Sequence, residues 1–273
     1  MRFALLASGS KGNCFVLMDE ALMILVDCGT TKRYISGCFD ELGISVSDLD
    51  AVLITHNHTD HISQLKMFSG CRLYSPCRLD YPSIPVRPME KIQIQHMTVT
   101  PLALSHDAEH TAGYIFETWQ EKLVYITDTG YVKDEYLKLL KGADYIILES
   151  NHDSEMLMNT RRPYYVKMRI ASDEGHLCNE DCASILDEIT TGKTRMIVLA
   201  HISREGNTRE KALAVTEAAL LKHKGELNRE LMLCAAGQYE MIKGGSWPNE
   251  KTDCGSVCCP VGMEHLAYLA AGR

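Results

Sequence analysis

The chain has 273 residues, of which 45% are hydrophobic and 23% charged, a balance that supports a sizeable buried core and excludes disordered and fibrous classes. Its net charge of −8 at pH 7 argues against a surface that grips nucleic acid by bulk attraction, while leaving room for a local positive cleft. The opening residues are apolar for only about five positions, too few for a signal-peptide core, and no later run approaches the roughly 20 residues that span a bilayer. The expectation is a cytoplasmic protein with no membrane association, in which most of the 11 cysteines are free, buried thiols. Cys254-x3-Cys258-Cys259 is the exception, a spacing at which thiolates could share a metal, although no His or Cys pair of finger-like spacing completes it.

Strand patterns open the chain at Phe3 to Ala7, Cys14 to Met18 and Leu22 to Val26, separated by Gly, Ser, Lys or Asp. A helix follows. Thr30 or Thr31 can cap it, Ile35, Cys38, Phe39 and Leu42 share one face, and Gly43 stands where a helix stops. A buried strand from Ala51 to Thr55 runs straight into His56. Further strands are expected at 72–75, 97–104, 113–117, 123–127, 145–148 and 196–200, with helices near 132–141, 179–190 and 208–222. Strands and helices therefore alternate in both halves, and no repeat or low-complexity linker divides the chain. The expected organisation is one domain over residues 1–242 with a Cys-rich appendage, 243–273, that holds a weakly amphipathic helix candidate from Met263 to Ala271.

His56-Asn57-His58-Thr59-Asp60-His61 places four ligand-type side chains in six residues at the end of an apolar strand. Residues two apart on extended chain face the same side, so His56 and His58 can meet one ion, and a turn into a helix lets Asp60 and His61 reach a neighbouring ion. One loop cannot complete two coordination shells. His106, Asp128 and His201 each lie just beyond an expected strand, where a shared rim converges.

Together with Asp27 of Val26-Asp27-Cys28-Gly29 before them, these residues resemble, in order, the five motifs of the metallo-β-lactamase superfamily, over about residues 1 to 242. The resemblance implies an α/β fold, the four-layer αββα sandwich, with two divalent ions at one edge: zinc, or alternatively manganese or iron. It implies that His56, His58 and His106 hold the first ion, that Asp60, His61 and His201 hold the second, that Asp128 bridges them, and that Asp27 supports the metal loop without binding metal. Such a pair lowers the pKa of a bridging water and neutralises charge on a phosphoryl or carbonyl group. Asp60 and Asp128 are then the candidates to orient that water or take its proton.

The segments Leu6 to Asn13, Ser105 to Ala108, Glu149 to Asp153, Gly175 to Asn179 and Ala200 to Glu205 are similar to those of the YycJ/WalJ-type subgroup, regarded as 5′-to-3′ DNA exonucleases. The resemblance thus implies DNA as the partner. Arg161, Arg162, Lys167 and Arg169, interleaved with Tyr164 and Tyr165, suit phosphates and stacked bases, or form a solvated basic loop. His152 and His176 are spare histidines that could contact a scissile phosphate or protonate a leaving oxygen. The turn containing Ser8 and Asn13 resembles a phosphate cradle without the Walker ending; it is either a substrate contact or a hairpin beside the rim. A thioester, ester or lactam hydrolase on the same centre, and a non-catalytic metal-binding protein, are the alternatives.

Overall fold

The computed structural model describes residues 1–223, 225–247 and 258–262. The first half supplies strands β1 (Arg2–Ala7), β2 (Cys14–Asp19) and β3 (Leu22–Val26), helix α1 (Lys32–Leu42), strand β4 (Ala51–Leu53), the single-turn helix α2 (Thr59–Ile62), and the short strands β5 (Leu73–Ser75) and β6 (Ile84–Pro85). The second half supplies β7 (Ile92–Ile94), β8 (Met97–Leu104), β9 (Thr111–Glu117), β10 (Lys122–Ile126), α3 (Asp134–Leu140), β11 (Tyr145–Glu149), α4 (Ser154–Asn159), α5 (Tyr164–Ile170), α6 (Asn179–Ile189), β12 (Met196–Ala200), α7 (Arg209–Leu220), β13 (Met232–Ala235), β14 (Ile242–Gly245) and β15 (Cys258–Pro260).

These strands form two mixed sheets, ordered β14-β1-β2-β3-β4-β5-β6 and β15-β13-β12-β11-β10-β9-β8-β7. Side-chain parity along each strand explains why they stack. Phe3, Leu5, Phe15 and Leu17 point to the core between the sheets, where they meet Tyr114, Phe116, Tyr125, Tyr145 and Val198 of the second sheet. Their neighbours Ala4, Leu6, Cys14 and Val16 point outward, to a layer formed with Ile35, Cys38 and Phe39 of α1. On the far side Val124, Ile126, Ile146, Leu148, Ile197 and Leu199 pack against α3, α6 and α7 through Tyr136, Leu140, Leu186, Ile189 and Leu213. The result is the expected αββα sandwich. Helix α1 starts and stops as its residues dictate: Thr31 accepts from the backbone N–H of Tyr34, and Gly43 closes the end at φ 67°.

The described part of the tail pairs into both sheets. The boundary at 242/243 falls inside β14, which pairs antiparallel with β1, and β15 pairs with β13; both are short edge strands, and Gly244-Gly245 hides the first from pattern reading. Cys258 sits opposite Cys234 in that pairing and forms a disulfide with it, so neither is a free thiol and Cys258 is committed elsewhere than to a metal. Cys254 and the helix candidate 263–271 lie outside the described residues. Short β6, β7, α4 and α5 also carry no expectation in the sequence reading. Among the described residues no helix is long and apolar enough to cross a membrane.

Phe15 is wholly buried and packs on Phe3 at 5.8 Å and, across the sheet interface, on Tyr125 at 5.0 Å between ring centroids. Phe15→Ala is therefore expected to lower the unfolding free energy by about 3–5 kcal/mol, measured by denaturant titration.

Candidate metal centre

Asp27 and each expected metal ligand are delivered by the C-terminal end of a strand. Asp27 follows β3, the His56 to His61 loop follows β4, His106 follows β8, Asp128 follows β10, and His201 follows β12. At three of these ends the chain bends through the left-handed region, at Asp27 (φ 58°), Asp128 (φ 59°) and His201 (φ 54°). Non-glycine residues adopt it at a cost that surrounding contacts must offset, and such bends gather at functional sites.

Asp27 is the clamp of the loop. Its Oδ1 accepts from the Thr55 backbone N–H and its Oδ2 from the Thr55 hydroxyl, both at 2.8 Å. His61 Nδ1 donates to the same Oδ2 at 2.8 Å, which leaves Nε2 turned to Asp128 Oδ2, 3.3 Å away. Gly29 lets the β3 end lie directly against the loop: a Cβ there would stand 1.5 Å from the Asp60 carbonyl oxygen.

Asp128, 2% exposed, occupies the centre. Its Oδ1 lies 3.4 Å from His201 Nε2, 3.9 Å from His176 Nδ1 and 4.0 Å from His106 Nε2. Burial alone would raise its pKa, yet the charges of His201 and His61 hold it well below the usual carboxylate range. The same attraction, from Asp128 first and Glu149 next, overcomes burial to lift His201 to about 9, and Asp128 and Asp27 likewise raise His61. His56 responds in the opposite sense, pushed down by burial and then by the neighbouring His61.

Three sets of donor atoms converge here: His56, His58 and His106; His56, His61 and Asp128; and Asp128, Glu149, His176 and His201. Divalent cations fit this arrangement. His56 Nε2, Asp128 Oδ2 and His201 Nε2 are buried without any hydrogen-bond partner, a combination that is costly unless something positive sits among them, and imidazoles with a carboxylate form a ligand set common to zinc, manganese and iron.

The expected first set, His56, His58 and His106, is brought together. The expected second set is not: His61 groups with His56 and Asp128, His201 groups with Glu149 and His176, and Asp60 joins neither. Asp60 lies in the first turn of α2 and lines the cavity instead. Glu149 was missed. It is wholly buried, its Oε1 accepts from His201 Nδ1 at 2.7 Å and from His176 Nδ1 at 2.8 Å, and its Oε2 accepts from the Thr129 backbone N–H at 2.9 Å. The signal for it existed, since an acid ending a wholly apolar strand has to be satisfied by something.

Above the cluster an open cavity of about 210 Å³ is lined by His58, Asp60, His106, Asp128, His176 and His201, with Arg162 and Arg169 on its wall. Ser8 and Asn13 are not presented to it as substrate contacts. Ser8 Oγ accepts from the His201 backbone N–H at 2.7 Å, and the buried Asn13 side chain brackets Gly9 and meets His61 Nε2 at 2.9 Å, so the turn braces the rim. His152, 2% exposed, does not line the cavity. Neither do Arg161 and Lys167; the Lys167 ammonium donates to the Met158 carbonyl.

Two stacked sheets with a histidine and carboxylate cluster at their shared edge define a metal-dependent hydrolase. A family model described as the β-lactamase superfamily domain matches residues 23–202. The chain belongs to the metallo-β-lactamase superfamily. It is 33% identical over 245 residues to exodeoxyribonuclease YycJ of Bacillus anthracis, covering 82% of this chain and 90% of that protein. It is 33% identical over 228 residues to exodeoxyribonuclease WalJ of Streptococcus pneumoniae, covering 77% and 85%. Among solved structures it superposes on the metallo-β-lactamase fold protein YhfI of Bacillus subtilis with TM-score 0.67 at 16% identity, covering 89% of this chain and 99% of that one.

Gly29→Ala tests the packing of the loop. The added methyl cannot coexist with the Asp60 carbonyl, and overpacking of this kind typically costs about 1–3 kcal/mol. The expected outcome is a lowered melting temperature together with loss of bound metal, read by elemental analysis of the purified protein.

Proposed function

We propose that this chain is a two-metal phosphodiesterase that removes nucleotides from the 5′ end of DNA. The observation that carries the reading is the Asp128-centred cluster opening into a cavity whose wall also bears Arg162 and Arg169: a cation site beside two guanidiniums is built for phosphates rather than for a neutral lactam or thioester. The two exodeoxyribonucleases to which the chain is 33% identical over the aligned residues support it. His56, His58 and His106 would hold one ion; the other would sit at Asp128, within reach of His201 on one carboxylate oxygen and His61 on the other, with Asp60 at the rim. When bound, two divalent ions neutralise phosphate charge and lower the pKa of a water toward neutrality. Zinc suits the imidazole-rich donors, with manganese and iron compatible with the carboxylates.

The protein's own groups do the rest. Arg162 and Arg169 draw the diester into the cavity, and Asp60 is placed to orient the attacking water. His176 lines the cavity with Nδ1 held by Glu149; its remaining nitrogen can give a proton to the departing 3′ oxygen. His152, being buried away from the cavity, has no part in this.

Metal-loaded protein incubated with end-labelled DNA should shorten it progressively from the 5′ end. A chelator, or Asp128→Asn, should reduce the rate about 100-fold or more, given that changes behind the ligands alone cost 10–100-fold. Intact DNA beside metal-dependent cleavage of a thioester or a chromogenic lactam would overturn the substrate assignment. His176→Ala should lower kcat on DNA about 100-fold or more while metal content stays at the parent level, and an unchanged kcat would remove His176 from the proton transfer.

A further inference from the structure

Asp107 has no part in the chemistry above, yet it stands at the front of the cluster. It follows His106 on the loop between β8 and β9 and lines the cavity, with its side chain 27% exposed. The buried acids Asp27 and Glu149 stand behind His61 and His201, each accepting from the nitrogen that faces away from the centre. Asp107 is placed the other way round. His106 Nδ1 donates to the Gly175 carbonyl at 3.1 Å, which leaves Nε2 for the centre, and it is this Nε2 that Asp107 Oδ1 approaches, at 3.2 Å. The same oxygen lies 3.9 Å from His58 Nε2. Oδ2 meanwhile accepts from the Arg169 guanidinium at 2.7 Å. One carboxylate thus joins the cavity side of the His56, His58 and His106 set to the cation on the wall. Glu205 is not equivalent: it pairs with Arg162 at 3.0 Å but does not line the cavity.

Two oxygens on one anionic centre, one turned to the metal donors and one to a guanidinium, are what a bound phosphate would present to the same groups. We infer that Asp107 is a placeholder for the substrate phosphate: its carboxylate occupies the phosphate position in the resting enzyme, and an incoming diester displaces it from the first metal site and from Arg169 together. The inference rests on the phosphodiesterase reading and sharpens it. A metal-loaded cavity with two arginines would otherwise retain any small phosphate, including the 5′ phosphate that each cleavage leaves on the shortened strand. Competition from the placeholder weakens every such anion by the fraction of time the position is free. A DNA end that also engages Arg162 overcomes it, whereas a free phosphate has only the one position.

The test compares the metal-loaded parent with Asp107→Ala, Asp107→Asn and Glu205→Ala. Inorganic phosphate is titrated into each by calorimetry, steady-state kinetics are measured on a 5′-phosphorylated duplex, and metal content is read by elemental analysis. Both Asp107 variants should bind phosphate about tenfold more tightly, the factor expected where the placeholder is in position about nine-tenths of the time. On the duplex, kcat and KM should fall together, because the new 5′ phosphate leaves more slowly, with kcat/KM within about threefold of the parent. Phosphate affinity that is unchanged or weaker in the Asp107 variants overturns the placeholder. An equal gain in Glu205→Ala also overturns it, since net charge alone would then account for the effect, and so does loss of an ion from the Asp107 variants, which would make Asp107 a permanent ligand. If the parent degrades no DNA while the Asp107 variants gain phosphate affinity as stated, the nuclease reading fails and the placeholder stands. If DNA is degraded and phosphate affinity does not move, the placeholder alone fails.

Discussion

The Asp128 carboxylate, nearly sealed from water and faced by His61, His106, His176 and His201, is the arrangement to which the rest of the molecule is fitted. A lone buried carboxylate is expensive, and a group of imidazoles crowded around it is equally unfavourable if they charge together. The cluster persists because three of these histidines have their other nitrogen satisfied from behind: His61 by Asp27, His201 by Glu149, and His106 by the Gly175 carbonyl at 3.1 Å. Those contacts decide which nitrogen remains for the centre, as outer partners of metal-binding histidines commonly do.

That requirement reaches into the fold, because the supports come from both sheets. Ser8, just past β1 of the first sheet, accepts from the backbone of His201 at the end of β12 in the second. The Ala112 N–H of β9 donates to the Thr55 carbonyl at 2.9 Å, and the Tyr114 hydroxyl donates to the Ile54 carbonyl at 2.6 Å. These bonds lock the sheet edges together where the loops project, so strand register and site geometry cannot vary independently. The left-handed bends at Asp27, Asp128 and His201 are tolerated because each is held on several sides.

Much of this was legible in the residues. The strand patterns at the start of the chain marked β1 to β3, and the Thr31 and Gly43 signals bounded α1 within a residue or two. The density of the His56 to His61 segment, with His106, Asp128 and His201 each ending a strand, pointed to residues that lie together in the fold, Asp60 excepted. Pattern reading failed where the information is not local. Glu149 is defined by two histidines distant in sequence; the turn of Ser8 and Asn13 stayed open between a substrate contact and a rim hairpin because a brace and a cradle use the same small polar residues. Strands β14 and β15 exist through pairing with β1 and β13 rather than through any periodicity of their own.

The charges on the cavity wall show how an acidic chain can still admit a polyanion. Arg169 donates to Asp107 Oδ2 at 2.7 Å and Arg162 to Glu205 Oε2 at 3.0 Å, so each guanidinium is paired at the surface. Surface ion pairs of this kind add little net stability, since solvent screens them and ordering the side chains offsets much of the attraction. Their effect is positional: Asp107 and Glu205 hold the arginines that line the wall, and a phosphate, which guanidinium forks match in geometry, can replace either carboxylate at small cost. With the acids neutralising the arginines until substrate arrives, the cleft avoids a large fixed positive field.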